Sequence, residues 1–294
     1  MTAPTTTALD RAFDQERSRL VGVAYRITGS RSAAEDLVQD AWLRWQAADR
    51  RKIDRPAAWL TTVTSRLALD HLKSAAHQRE AYVGPWLPEP TAVAPDPAER
   101  AELAESVTIG FLVVLERLGP IERVVFLLAD VFGLPFGEIA TVVDKTPAAC
   151  RQIASRARLR VREERPRFAP TDAAAWEVAA AFLTAAQVGD LDALVSLLAE
   201  DALAVSDGGA DHRAARRPVI SARIPRFATN LAARMPEGSD VSFHELNGQP
   251  GIVLHLGGGA YQAIVFHIAD GVVHRIWTIR NPKKLTGLTA PPIP

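Results

Sequence analysis

Residues 136–160 read FGEIATVVDKTPAACRQIASRARLR. Phe136–Val143 has the apolar spacing of a short helix, and Asp144-Lys145 is a tight turn. Thr146 is a good N-cap residue, and Pro147 takes the first helical position, where its missing N–H costs nothing. The next helix runs from Ala148 to about Glu164. Small Ala140 lets the two helices approach, and Cys150 and Ile153 supply an inner face, so the spacing predicts a helix-turn-helix. A cysteine there is read as packing rather than redox. The outer face offers Thr146, Arg151, Gln152, Ser155, Arg156 and Arg158. Forked Arg and Gln groups match guanine and adenine edges in the major groove. Residues 151–167 hold seven Arg and two Glu, a net +5. A helical hairpin with a solvated basic face is the competing reading; the cap, the turn and the charge cluster together favour DNA.

Upstream, Pro120 opens a helix through Leu128, which Gly133–Pro135 breaks. Residues 9–80 read as all helix. Leu9, Phe13, Leu20, Val23 and Ile27 recur at helical spacing up to Gly29. Ser32 with Glu35 is expected to form a capping box for a second helix through Leu37, Ala41, Trp42 and Trp45. A charged loop from Asp49 to Arg55 follows, and Pro56 starts a third helix. Basic residues there alternate with Trp59, as on surfaces that hold single-stranded bases; a helical bundle with tryptophans in its core is the alternative. Between the helical segments, residues 84–97 hold five prolines and are read as an extended linker.

Composition narrows the classes further. One cysteine in 294 residues excludes a disulfide scaffold and a cysteine-built metal site. No apolar run is long enough for a transmembrane helix, and Met1–Leu9 lacks the pattern of a signal peptide, so a cytoplasmic protein without membrane contact is expected. Net charge is zero, but residues 1–80 carry +3 and residues 171–294 carry −2, so the positive charge sits in the first half.

From residue 171 the pattern changes. Ala173–Val188 and Leu191–Leu198 read as helices and Ala202–Ser206 as a short strand. Pro218–Met235 is expected to be helical, kinked at Pro225. Strand patterns follow at Val241–Leu246, Ile252–Leu256, Tyr261–Ile268 and Val272–Ile279, with an Asp270-Gly271 hairpin turn. Helices followed by an antiparallel meander suggest an α+β cone, one curved sheet wrapping a helix.

Several motifs carry a resemblance. Ala34-Glu35-Asp36-Leu37-Val38-Gln39-Asp40 with Trp42-Leu43-Arg44 resembles the core-polymerase-binding helix of bacterial sigma factors. Pro56–Leu60 and Leu67–Leu72 are similar to the promoter-melting, −10-reading helix of the extracytoplasmic-function (ECF) sigma factors, and Leu118–Phe126 with Gly137–Ala140 to their −35-reading domain. Asp144 stands where that family usually has Gly; Asp tolerates the left-handed region better than most residues. Residues 171–288 resemble the SnoaL-like extension of one ECF subfamily. Its linker motif matches Trp86-Leu87-Pro88-Glu89-Pro90; Asn281-Pro282-Lys283-Lys284-Leu285 resembles its N-P-D-K-L, and Asp207-Gly208-Gly209-Ala210-Asp211 its D-G-G-G-K with the Lys lost.

The resemblance implies a multidomain chain: a sigma module over 9–80, a proline-rich linker over 81–100, a helix-turn-helix module over 101–168 and the α+β cone over 171–288. It implies that Asp36, Gln39, Asp40 and Trp42 meet RNA polymerase core. Arg51, Lys52, Arg55, Trp59, Arg66 and Lys73 would meet the −10 element, and the outer face of the second helix the −35 element of promoter DNA. A tryptophan in a stiff proline-rich linker gains from burial, so Trp86, Leu87 and Pro88 are expected to dock near Asp207, Gly208, Gly209, Asn281, Pro282 and Leu285, making the cone a regulator in cis; the alternative is that Trp86 packs back on the first helical module. No cofactor, metal or catalytic group is expected, and an unknown small ligand in the cone's pocket is left open as a partner. The rival reading is a cyclase or isomerase using an acid–base pair among Asp207, His212, His244, His255, Tyr261 and His267, with the helical modules serving for assembly.

Overall fold

Apolar residues at three- and four-residue spacing need a partner surface, and the first half of the chain supplies it with helices. The computed structural model describes residues 6–49, 52–79, 82, 84–92, 107–164, 173–210, 212 and 214–288. Arg51, Asp211, the proline-rich stretch beyond residue 92, the break at 165–170 and the tail at 289–294 lie outside them. The chain divides into two compact units, residues 1–80 with 114–165, and residues 81–113 with 166–294.

The first unit contains α1 (Thr6–Thr28), α2 (Arg31–Ala47) and α3 (Pro56–Arg79). Leu20, Val23, Ala24 and Ile27 of α1 are buried with Ala34, Leu37, Ala41 and Trp45 of α2 and Leu60, Ala68 and Leu72 of α3. The cap of α2 differs from the expected capping box. Ser30, not Ser32, accepts from the backbone N–H of Ala33 at 3.2 Å, because only Ser30 has the extended backbone of an N-cap; Ser32 already lies inside the first turn.

Further along the chain lie α4 (Ile109–Leu115), α5 (Pro120–Phe126), α6 (Phe136–Val143) and α7 (Pro147–Glu164). Glu122 accepts from the N–H of Gly119 at 3.1 Å and closes the start of α5. α5 runs on into a wider π-helical turn, Leu127–Val131, before the Gly133–Pro135 break. Arg123, almost fully buried, pairs with Glu116 at 2.6 Å and donates to the Ile27 carbonyl at 3.1 Å, which ties α5 to the end of α1. α3 packs against α5 and α6, so both helical modules share one unit.

The second unit is a six-stranded sheet with α8 (Ala173–Val188), α9 (Leu191–Ser196) and α10 (Ile224–Ala232). Its strands are β1 (Leu198–Asp207), β2 (Val219–Ile220), β3 (Asp240–Leu246), β4 (Gln249–Leu256), β5 (Gly259–Ala269) and β6 (Val272–Ile279), in the order β2-β1-β6-β5-β4-β3. The expected meander holds for β3 to β6, but β1 pairs parallel with β6. Pro218–Met235 is not one kinked helix. Val219 and Ile220 pair with β1, a 3-10 turn follows, and Pro225 sits in the first turn of α10, where it starts a helix rather than bending one. Asn247-Gly248, Gly257-Gly258 and Asp270-Gly271 join the hairpins, all with positive φ as type I′ turns require.

Candidate polymerase, promoter and linker sites

On α2 the residues Ala34, Leu37, Val38, Ala41 and Trp45 face the core. Asp36, Gln39 and Asp40 are therefore left exposed on the other side. Leu43, seven residues on from Asp36 and so on the same face, is 53 % exposed. The sequence reading did not single it out, although a leucine at that spacing was its signal. Trp42 is half-buried against Phe13, ring centroids 4.7 Å apart.

The loop before α3 and the α3 face form a second group. Trp59 is half-buried and tilted against fully buried Trp45, centroids 5.6 Å apart. A cleft of about 550 Å³ opens beside it, lined by Asp49, Lys52, Ile53, Arg55 and Thr62 among others. Lys52 and Lys73 are exposed and make only loose ion pairs within their own segments, with Asp49 at 3.2 Å and Asp70 at 3.7 Å. Arg55 and Arg66 reach α6 instead. Arg55 pairs with Glu138 at 2.9 Å, and Arg66 donates to the Thr141 carbonyl, its Nε at 3.1 Å.

The α6–turn–α7 unit is built as its local sequence dictates. Asp144 ends α6 in the left-handed region at φ 53°, and Thr146 Oγ1 accepts from Ala149 N–H at 3.1 Å. Cys150, Ala154, Ala157 and Val161 point inward, and burial pushes the Cys150 thiol up, so it stays protonated and inert. Arg151, Gln152, Ser155 and Arg156 are exposed. Arg151 lies over the Phe136 ring at 5.7 Å. Arg158, also exposed, is held by Asp130, its Nε within 2.9 and 3.1 Å of the two carboxylate oxygens.

In the second unit, Asp207 at the end of β1 organises the linker. Its side chain is fully buried and accepts from Tyr82 Oη, from the Leu87 N–H at 2.9 Å, from the Gly209 N–H at 3.0 Å and from Lys284 Nζ at 2.7 Å. Lys284 also donates to the Leu87 carbonyl and lies 3.9 Å from the centre of the Trp86 ring. Asn281 donates to Tyr82 Oη at 3.0 Å and caps the 3-10 turn Pro282–Lys284. The two glycines are required here. A Cβ on Gly208 would stand 2.2 Å from the His212 carbonyl oxygen, and one on Gly209 would stand 2.9 Å from Asn281. Leu87, Pro88 and Leu285 are buried, while Trp86 is half-buried and Pro282 exposed. Further along, Thr91 and Asn247 exchange hydrogen bonds, each at 2.9 Å. Lys284, the lysine of the Asn281–Leu285 motif, thus pairs with the aspartate of the Asp207-Gly208-Gly209 motif, a contact that spacing along the chain did not reveal.

The six residues weighed for catalysis are not gathered. The concave side of the sheet encloses a cavity of about 480 Å³, and of the six only Tyr261 lines it. Asp207 serves the linker. His244 and His255 share Ser242 Oγ, each at 2.8 Å, on the face that carries Val253. His267 is buried beside His274 and Arg275, and burial first, then those two neighbours, push its pKa down to about 4. Among the described residues no group of three or more His, Cys, Asp or Glu could hold a metal, and no helix is long and apolar enough to cross a membrane.

Comparison with known proteins agrees with these parts. The family model for sigma-70 region 2 matches residues 12–78, and that for sigma-70 region 4 matches residues 111–161. The ECF RNA polymerase sigma factor SigJ of Mycobacterium tuberculosis is 42 % identical over 94 % of this chain and 92 % of its own. The probable ECF sigma factor SigI of the same species is 34 % identical over 95 % of both. The crystal structure of SigJ superposes with a TM-score of 0.74 at 38 % identity, covering 95 % of this chain and 98 % of that one. The chain, two sigma-70 regions followed by an α+β domain, belongs to the ECF RNA polymerase sigma factors.

Proposed function

We propose that this sigma factor grips RNA polymerase core with the exposed face of α2, through Asp36, Gln39 and Asp40 beside Trp42, with Leu43 adding apolar area. Lys52, Arg55, Trp59, Arg66 and Lys73 take the −10 element, with Arg51 completing that group. The cleft next to Trp59 has an aromatic wall on which an unstacked base can lie, with Lys52 and Arg55 at its rim, there paired with Asp49 and Glu138. Thr146, Arg151, Gln152, Ser155, Arg156 and Arg158 face the −35 element. The observation that carries this reading is the capped α6–turn–α7 unit, which leaves Arg151, Gln152, Ser155 and Arg156 together in solvent. In the packing described here Arg55 and Arg66 are taken up by α6, so full contact with DNA requires those two links to open.

The chain itself performs no bond chemistry in this reading, because of the six acid–base candidates Tyr261 alone lines the cavity and no second one stands beside it there. It acts in the cytoplasm, where polymerase and promoters are. The SnoaL-like domain regulates in cis: it holds the start of the chain that joins the two sigma regions, Tyr82 through Asp207 and Asn281 and Trp86 and Leu87 through Asp207 and Lys284.

Promoter-dependent run-off transcription with core polymerase tests this. Arg151→Ala and Arg156→Ala are each expected to weaken −35 binding by about 1–3 kcal/mol where the side chain reads a base, or to lower affinity evenly and flatten the salt slope where it meets phosphate. Unchanged promoter affinity in both variants places the DNA face elsewhere, and absence of any promoter-specific transcript overturns the reading.

A further inference from the structure

The cavity of the SnoaL-like domain has the size of a small-molecule site, about 480 Å³ against a usual range of roughly 300–1,000 Å³. Its wall is of two kinds. Phe266, Ile276 and Leu254 from the sheet, with Leu231 and Met235 from α10 and the turn after it, make an apolar end. The strand registers gather polar groups at the other. Ser206 pairs with Thr278 between β1 and β6, and Thr278 pairs with Ile264 on β5. Gln262 and Arg280 lie one step beyond the Ala263–Ile279 pair. All four polar residues line the cavity.

Ser206 and Gln262 are each only 2 % exposed, and Ser206 Oγ and Gln262 Nε2 have no hydrogen-bond partner among the described residues. Buried polar atoms are nearly always paired, so two orphans on one wall call for a partner from outside. Water alone does not account for the rest of the space, because apolar walls give it no partners. Gln262 Nε2 can only donate and Ser206 Oγ can donate, so the missing partner is an acceptor.

We propose that this cavity binds an apolar small molecule bearing one hydrogen-bond-accepting oxygen, a carboxylate or a ketone. The oxygen sits between Gln262 and Ser206, near Arg280, and the apolar body lies against Phe266 and Ile276. Ser206 precedes Asp207 on β1, and strand alternation sends their side chains to opposite faces. The ligand therefore touches the same strand end that holds the linker. The binding site stands independently of the promoter assignments, because binding is read directly.

The test is calorimetric titration of the full chain with three probes that each carry a ten-carbon chain: decanoate, 2-decanone, and decyltrimethylammonium, whose head has no acceptor. At least one oxygenated probe is expected to bind one-to-one, at least about tenfold tighter than the ammonium, and the better of decanoate and 2-decanone identifies the oxygen. Gln262→Leu and Ser206→Ala should each weaken that probe by about tenfold, the worth of a buried hydrogen bond. Ala228→Trp, which fills the cavity, should abolish binding with an unchanged circular dichroism spectrum; if it does not fold, the other two variants decide. Absence of binding by both oxygenated probes, equal affinity for the ammonium, or full affinity in Gln262→Leu and Ser206→Ala overturns the proposal.

Discussion

Replacing Asp207 with alanine should release the start of the linker from the sheet domain. The carboxylate is the common acceptor for Tyr82, Leu87, Gly209 and Lys284. Without it Lys284, only 9 % exposed, keeps its charge in a site that no longer balances it. Breaking one side of a buried pair in this way costs about 3–5 kcal/mol. Burial of Leu87 contributes about 1.5–3 kcal/mol in the other direction, too little to hold the segment alone. The exchange rate of the Leu87 amide reads the outcome, since its N–H donates to Asp207 itself. Its protection should fall by about a hundredfold or more, as 1.4 kcal/mol is a factor of ten. The Thr91 amide, bonded to Asn247, should lose less. Adding Lys284→Met should restore much of the lost stability, because an apolar replacement removes the stranded charge. Unaltered Leu87 protection in the single variant, or a double variant no better than the single, would refute the view that this ion pair holds the linker.

Two further outcomes are expected. Glu138→Ala removes an exposed ion pair worth no more than about 1 kcal/mol and frees Arg55, so it should leave the melting temperature nearly unchanged while raising promoter affinity up to about fivefold in filter binding; weaker binding would show that Glu138 is not in competition with DNA. His267, held down to about 4 by burial and its neighbours His274 and Arg275, stays neutral in the fold while the unfolded chain takes up a proton near pH 6.5. Stability is then complete above pH 6.5 and declines as pH falls towards 4, by on the order of 2–3 kcal/mol; denaturant melts of His267→Gln should show a flatter decline, and an identical slope would assign the loss to other groups.

Much of the helical half was legible because its signals are local. Pro56, Gly133, Asp144, Thr146 and Pro147 each act on the backbone within one turn, and the limits of α3, α6 and α7 followed from them. The cap of α2 was misplaced by two residues because Ser30 and Ser32 are chemically equal candidates, and only the backbone conformation chooses between them. β1 was read too short, and Pro218–Met235 as one helix, because the pairing of β1 with β6 and β2 joins residues far apart in sequence. The Asn247-Gly248 turn was written in the sequence as a hairpin signal and was not used.

By itself, then, the sequence determined the order of the helices, the helix-turn-helix with its basic outer face, the docking motifs of the linker and the change to an α+β domain after residue 171. Capping, turn chemistry and periodicity are short-range effects, readable a few residues at a time. Only the tertiary structure decided that Lys284 balances Asp207, that Arg55 and Arg66 are occupied by α6, that the histidines stand away from the cavity, and that Ser206 and Gln262 face into it. Those outcomes depend on strand register and on helix packing across as many as 199 positions of sequence, as between Tyr82 and Asn281. A shift of one residue in register turns every side chain of a strand to the other face, so no local pattern fixes which polar groups meet.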